Sequence, residues 1–348
     1  MAINIKNSVS KTDDNHRSVE FTISSNEMEK LFEKSLGEFR KQVSMKGFRP
    51  GQVPKQLFVS RFGDEVWRET VGNVVENELK NEFEKIVETW KTDEKLEIAA
   101  PAEPGEISAE RGRDLVYKLN IALNKPIEVQ GYKELGISVP ATIVAEEEIN
   151  DVIKDVRERF AKEVETPPTD EEFYSMVGAK DEADFKSKVT DDVLRDKKYK
   201  ARLAALKDAF DRLIEKNPFP VLEEQIKYTA MRSLQHHHHR HHHHHHDHEE
   251  DEEEINVSEE QLNEMRPEIT RAIQEDRILR AIVEQETLKP TQGQVDARVE
   301  EIANSAGMDF ATVKDTMRRN GQINRIRENL KIELAQNLLI GETLTEKT

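Results

Sequence analysis

An α+β domain followed by an all-α region is the fold class that the sequence predicts, and three observations carry it. Two stretches in the first third alternate apolar with polar residues, the segment between them repeats apolar residues at helical spacing, and beyond residue 145 only helical spacing is found. The composition agrees, since 35% of the 348 residues are charged and only 6% aromatic, a balance that suits long exposed helices better than a compact enzyme.

Val19, Phe21 and Ile23 fall on one side of a half-buried strand, and Leu115, Tyr117, Leu119 and Ile121 do the same in a second. Between them, Phe32, Leu36, Phe39 and Val43 share a helical face, and Val71, Val75, Leu79, Phe83 and Ile86 share another on a longer helix. Pro54 suits the first turn of a short helix that carries Phe58 and Phe62 into the core, with Gly63 placed to end it. Pro101 to Gly105 reads as a connection to the next strands, and Gly131 to Pro140 as the extended exit from the domain. The chain therefore divides at residue 145, into 1–145 and 146–348.

Beyond that boundary the apolar stripes are all helical. Ile149, Val152, Ile153, Val156 and Phe160 make the first; Val189, Val193, Tyr199, Leu203, Leu206, Phe210 and Leu213 make a long second one. Leu262, Met265, Ile269 and Ile273 follow, then Val295, Val299 and Ile302, then Ile323, Ile326, Leu330, Leu334 and Leu338. Thr291 with Gln294 has the spacing of a capping box, and the short links at 288–290 and 305–307 favour antiparallel neighbours in a bundle.

A net charge of −18 repels a phosphate backbone, so any RNA contact has to be confined to a local basic place. The absence of Cys excludes disulfides, thiolate metal sites and Cys nucleophiles, and is compatible with a reducing compartment. The first residues, Met1 to Lys6, lack the apolar core of a signal peptide, and no run approaches the roughly 20 apolar residues of a membrane span. A cytoplasmic location with no membrane partner is the expectation.

Residues 47 to 54 read Gly47-Phe48-Arg49-Pro50-Gly51-Gln52-Val53-Pro54. The glycines permit backbone angles that other residues resist and the prolines fix φ, so the loop holds one shape without a core of its own. Its residues fit two readings, a docking tip with Phe48 and Arg49 outward, or an ordinary turn with Phe48 folded inward. The pattern Gly-Phe-Arg-x-Gly-x-x-Pro, after a helix in the first fifty residues and before an aromatic-containing helix, resembles the ribosome-binding signature of the bacterial trigger factors.

That resemblance covers most of the chain and implies a ribosome-associated, ATP-independent chaperone with an elongated helical body and two projecting arms. It implies that Phe48 and Arg49 dock on a ribosomal protein of the large subunit beside the tunnel exit, with ribosomal RNA nearby, and that nascent and unfolded polypeptides are the clients. Whether the chain forms a homodimer off the ribosome is left open by the sequence. Pro50 and Gln52 stand where some relatives have Lys, so Lys46, Arg49 and Lys55 are the local cations, and binding is expected to be electrostatically assisted. Where most trigger factors insert an FKBP-type prolyl-isomerase domain, only twelve residues separate Phe160 from Phe173, too few to build its pocket. No isomerase activity and no required cofactor are expected.

The other conspicuous feature is a run of imidazoles, His236, His237, His238, His239, His241, His242, His243, His244, His245, His246 and His248, leading into the acidic stretch Glu249 to Glu254. It lacks the fixed spacing of a structured metal site, so it reads as a solvated, disordered insertion over 236–254, an adaptable Zn²⁺, Ni²⁺ or Cu²⁺ binder, or an engineered tag. A metal-binding or storage protein acting through this run is one alternative function, and an off-ribosome holdase of the SurA type is another. No nucleophile with a base, converging carboxylate pair or phosphate cradle has a recognisable spacing, so no catalysis is expected. Outside the run only His16 offers an imidazole, in the turn-like Asp13-Asp14-Asn15 context. Met231, Met265, Met308 and Met317 are candidate client contacts, because flexible thioethers adapt to varied apolar partners, although Met at an apolar helical position is more often core filling.

Overall fold

The computed structural model describes residues 3–43, 45–49, 51–163, 168–241 and 257–341, with no side-chain description for 163 and 236–241. Two compact units emerge, and neither is continuous in sequence: 1–126 with 220–272, and 127–219 with 273–348.

The first unit is α+β. Its antiparallel sheet contains β1 (Ile5–Lys11), β2 (His16–Ile23), β3 (Glu97–Ile98), β4 (Glu103–Ser108) and β5 (Leu115–Asn124), in the order β1-β2-β5, with β3 and β4 both paired to β5. Val19 pairs with Leu119 and Phe21 with Tyr117, so the alternating residues of both predicted strands stand in register. Helices α1 (Ser25–Gln42), α2 (Lys55–Asn73) and α3 (Lys80–Thr89) cover one face of the sheet. Met28, Phe32 and Leu36 of α1, Phe58, Val66 and Trp67 of α2, and Phe21, Ile23 and Ile121 of the strands share a single apolar core. Ser24 caps α1 by accepting from the Glu27 N–H, and Phe32 meets Trp67 edge-on at 5.8 Å.

Two expectations fail here. Gly63 does not end a short helix, because it is buried against Val59 and α2 continues through it, running on by a π-helical stretch at Val74–Leu79 into α3. The apolar residues on both sides of Gly63 belong to one buried face, and that burial outweighs the propensity cost of a single glycine. Pro104 and Gly105 are not in a connection either but in β4, an outer strand bulged between Pro104 and Ile107, which is where a sheet tolerates a residue without an N–H donor. The alternation along β5 also breaks down at its end, where Ile121 to Asn124 are all buried, since Ala122 is covered by Ala99 and Leu222. The unit is completed by α7 (Glu223–His241) and the first part of α8 (Glu259–Gln285), joined by the Arg266–Glu223 ion pair.

The second unit is helical. It holds α4 (Glu146–Glu163), α5 (Asp170–Met176), α6 (Glu182–Lys216), the latter part of α8, α9 (Gln292–Ala306), α10 (Phe310–Arg319) and α11 (Gln322–Leu339). One cluster joins Ile149, Phe173, Tyr174, Phe185 and Val189; a second joins Leu206, Phe210 and Leu213 to Ile278, Ile282 and Leu339. Helix α6 serves both, and its residues between them are left outside. Tyr199 (60% exposed) and Leu203 therefore depart from the continuous core stripe that their spacing predicts, and Val152 and Leu338 are exposed as well. Gly131 to Pro140, expected as an extended exit, instead holds a 3-10 turn at Tyr132–Glu134 bracketed by Gly131 and Gly136 at positive φ, and forms no strand. Thr291 and Gln294 form the full capping box, and α9 to α11 pack around Val295, Val299, Val313, Ile326 and Leu330.

Candidate functional site

Residues 45–49 and 51–54 form a loop on an apolar foundation. Below it, Phe39 of α1 meets Phe58 and Phe62 of α2 edge-on at 6.1 and 6.0 Å, and the two α2 rings lie 4.9 Å apart. Val53, fully buried, joins the same core and pins the end of the loop to it. Full burial of Phe58 and Val53 contributes on the order of 1.5–3 kcal/mol for each side chain, with less from the partly buried Phe39 and Phe62, which gives the loop a rigid base.

The loop itself is closed by backbone bonds. The Phe48 N–H donates to Met45 C=O at 2.9 Å and the Gln52 N–H to Arg49 C=O at 3.0 Å. Gly47 (φ +92°) and Gly51 (φ +82°) sit where an L side chain is strained, which is the physical need for both glycines. Arg40, in the last turn of α1, makes a reciprocal clamp: the Gly51 N–H donates to Arg40 C=O at 2.9 Å, and the Arg40 guanidinium donates to Gly51 C=O at 3.1 Å. Sequence reasoning missed Arg40, because its partner is a backbone group eleven positions away and no side-chain spacing encodes that.

Folded this way, the loop leaves Lys46, Gly47, Phe48 and Arg49 exposed, with Phe48 at 38%. Among the described residues neither Lys46 nor Arg49 has a carboxylate partner, whereas Lys55 is bridged to Glu33 of α1. Pro54 is the N-cap residue of α2, and Pro50 lies outside the described residues. An aromatic edge and two open cations on a fixed loop are equipped to meet a surface that offers both an apolar niche and negative charge.

The remaining candidates are scattered. Met231 in α7 and Met265 in α8 are half-buried in the first unit. In the second unit Met308 is 53% exposed, and Met317 packs against the α9–α11 cluster. Helix α7 runs to His241, but the side chains of His236, His237, His238, His239 and His241 are not described, and His242 to His246 and His248 lie outside the described residues. Among the described residues no three His, Cys, Asp or Glu side chains gather to hold a metal ion, and no helix is long and apolar enough to cross a membrane.

His16 bridges the turn between β1 and β2 to α7. Its Nδ1 is 2.8 Å from Asp13 Oδ2, and its Nε2 makes a looser ionic contact with Glu224 at 3.4 Å. Partial burial pushes the imidazole down, but the hydrogen bond and charge of Asp13, then those of Glu224, outweigh it and the net shift is upward. This is an electrostatic staple within the first unit.

Comparison with known proteins agrees with this architecture. Residues 5–156 match the model of the bacterial trigger factor protein, and residues 183–341 match that of the trigger factor C-terminus. The trigger factor of Francisella tularensis subsp. mediasiatica is 24% identical over 189 residues, 53% of this chain and 41% of that protein. That of Streptococcus pyogenes serotype M5 is 26% identical over 172 residues, 48% of this chain and 39% of its own length. The chain thus spans about two fifths of the length of these curated relatives. A solved structure of the trigger factor chaperone, described for promiscuous substrate recognition in folding and assembly, has the same fold: TM-score 0.54 at 14% identity, covering 96% of this chain and 99% of that one.

Proposed function

The chain belongs to the bacterial trigger factor family, and from that premise we propose that it is an ATP-independent chaperone that binds nascent and unfolded polypeptides and is tethered to the large ribosomal subunit at the tunnel exit by its 47–54 loop. The observation that carries this reading is the exposure of Phe48 and Arg49 on a loop whose base is fixed by Val53 and Arg40. A loop held in one shape has less ordering entropy to lose on docking, and Lys46 and Arg49 release counterions when they meet phosphate.

Residues 1–145 form the ribosome-binding part in this proposal and 146–348 the client-binding part. Tethering raises the chaperone's effective concentration around each emerging chain, so weak apolar contacts with the client suffice to delay aggregation. Met231, Met265, Met308 and Met317 are among the proposed client contacts. The two regions matched to the family are separated by 157–182 alone, which supports a chaperone that works without a prolyl-isomerase domain. The proposed setting is the cytoplasm, and no cofactor is needed.

Co-sedimentation with 70S ribosomes tests the tether. The unaltered protein is expected in the ribosome pellet at low salt and less so at moderate salt, and Phe48→Ala/Arg49→Ala is expected in the supernatant under both conditions. Absence of the unaltered protein from the low-salt pellet overturns the ribosome assignment, while suppression of client aggregation in solution tests chaperoning separately.

A further inference from the structure

Helices α9, α10 and α11 enclose a cleft of about 430 Å³ lined by Gln292, Lys314, Arg318, Ile323, Asn324 and Arg327, with Gly321 at its edge. Its volume lies in the ~300–1,000 Å³ range that takes ligands of drug size rather than a lone ion. The charge around it runs against the net charge of the chain. Residues 314–331 carry six Lys and Arg against Asp315 and Glu328, on a protein whose net charge is −18.

The polar partners within the cleft do not cancel that charge. Asp296 is satisfied by Lys314 Nζ at 2.8 Å and by the Gln292 amide at 2.9 Å. Arg327 has only long bonds to neutral carboxamides, at 3.3 Å to Asn324 and 3.4 Å to Gln292. Among the described residues neither Arg318 nor Arg327 has a carboxylate partner. Asp315, the acidic residue nearest Arg318 in sequence, is taken by Arg319, and Glu328, next to Arg327, is taken by Lys331. Two guanidiniums, each able to receive a carboxylate through paired N–H donors, therefore face a cleft whose nearest carboxylate, Asp296, is bonded to Lys314 and Gln292 and feels the Arg318 charge only at longer range.

We infer that this cleft binds carboxylate side chains of an acidic polypeptide segment. The inference rests on the chaperone reading for its biological setting and names one class of client segment, but the binding itself needs only the cleft. Charge complementarity selects the occupant. The net charge of −18 disfavours an acidic segment over much of the surface, whereas this cleft joins cations to a concave shape that can take side chains. Ile323 adds an apolar wall for the methylene groups of a glutamate side chain, which an inorganic anion does not use.

Fluorescence anisotropy with a labelled oligo-glutamate peptide of about eight residues, titrated with the full chain at low salt, tests the inference, with an oligo-lysine peptide as control. The expected result is saturable binding of the acidic peptide only, weakened at least about tenfold in Arg318→Gln/Arg327→Gln and largely kept in Arg318→Lys/Arg327→Lys. Both arginines are exposed, and unchanged helical circular dichroism verifies that the variants fold. Equal binding by the Gln variant, or no peptide binding by the unaltered chain, overturns the site. Inorganic phosphate that binds the unaltered chain when the peptide does not overturns the polypeptide as the occupant. Aggregation suppression with an uncharged apolar client, run in parallel, separates failure of the cleft from failure of the chaperone reading.

Discussion

The 45–54 loop and the cleft of α9 to α11 are both small cationic places on a chain of net charge −18, and they are built in opposite ways. The loop turns Lys46 and Arg49 outward beside an aromatic ring and gets its rigidity from beneath, through Val53, three phenylalanines and the Arg40 clamp. In the cleft, Lys314, Arg318 and Arg327 line one cavity on three packed helices, with no exposed aromatic among its lining. The difference teaches that surface cations can be deployed in two modes. An exposed loop fits a large rigid partner that supplies its own pocket, while a concave site fits a flexible chain that brings side chains into it.

Deleting the loop's foundation separates the two most sharply. Phe58→Ala removes a fully buried ring and is expected to destabilise by about 3–5 kcal/mol. In denaturant titrations the loss should appear in the first unit's transition, and ribosome co-sedimentation should fall while binding of the acidic peptide persists. If both activities fall together at temperatures where the helical unit stays folded, the two sites are not independent.

A smaller effect is expected from Arg40→Ala, which breaks the side-chain half of the clamp and leaves Gly51 C=O to solvent. It should cost about 1–1.5 kcal/mol of local order, read as roughly a tenfold rise in hydrogen exchange at the Gly51 N–H. Ribosome binding should weaken without a change in its salt slope, because Lys46 and Arg49 remain. An unchanged exchange rate would show that Val53 and the glycines fix the loop without Arg40.

On the cleft side, Thr291→Ala removes the capping-box hydroxyl just before Gln292. A loss of about 1 kcal/mol is expected, confined to the helical unit, with a modest weakening of acidic-peptide binding as the start of α9 frays. Peptide affinity equal to that of the unaltered chain would place Gln292 outside the energetics of the cleft.

The smallest effect belongs to neither site. His16 has its pKa raised in the folded state, so the stability contributed by its Asp13 and Glu224 contacts is fully present below the ordinary value of 6.5 and is lost as pH rises through the raised folded value. The first unit should melt at a slightly lower temperature at pH 8 than at pH 6. In His16→Gln that difference should shrink, with loop and cleft binding unaltered; an identical pH dependence in both proteins would remove His16 from the linkage.

Much of this molecule was legible in advance because local patterns report local structure. The alternation at Val19 to Ile23 and at Leu115 to Ile121 located two paired strands, the capping box at Thr291 formed as spaced, and Gly47 and Gly51 adopted the positive φ that their loop requires. The motif at 47–54 and the order of elements were enough to suggest the family. By itself the sequence determined these because each depends on side-chain period, cap chemistry or backbone freedom, properties that act over a few residues.

Tertiary structure decided the rest. Whether Phe48 turned outward, whether Gly63 broke a helix and whether Tyr199 joined a core depended on which surfaces arrived to cover them, and the helical period is the same for covered and uncovered positions. Arg40 met Gly51 because α1 ends against the loop, and Gln292, Lys314, Arg318 and Arg327 came to share one cleft because three helices packed around Val295, Val299 and Leu330. The physical reason is common to all of these. Periodicity selects the face that seeks burial, but only the packed chain determines what that face meets and which charges the opposite face brings together.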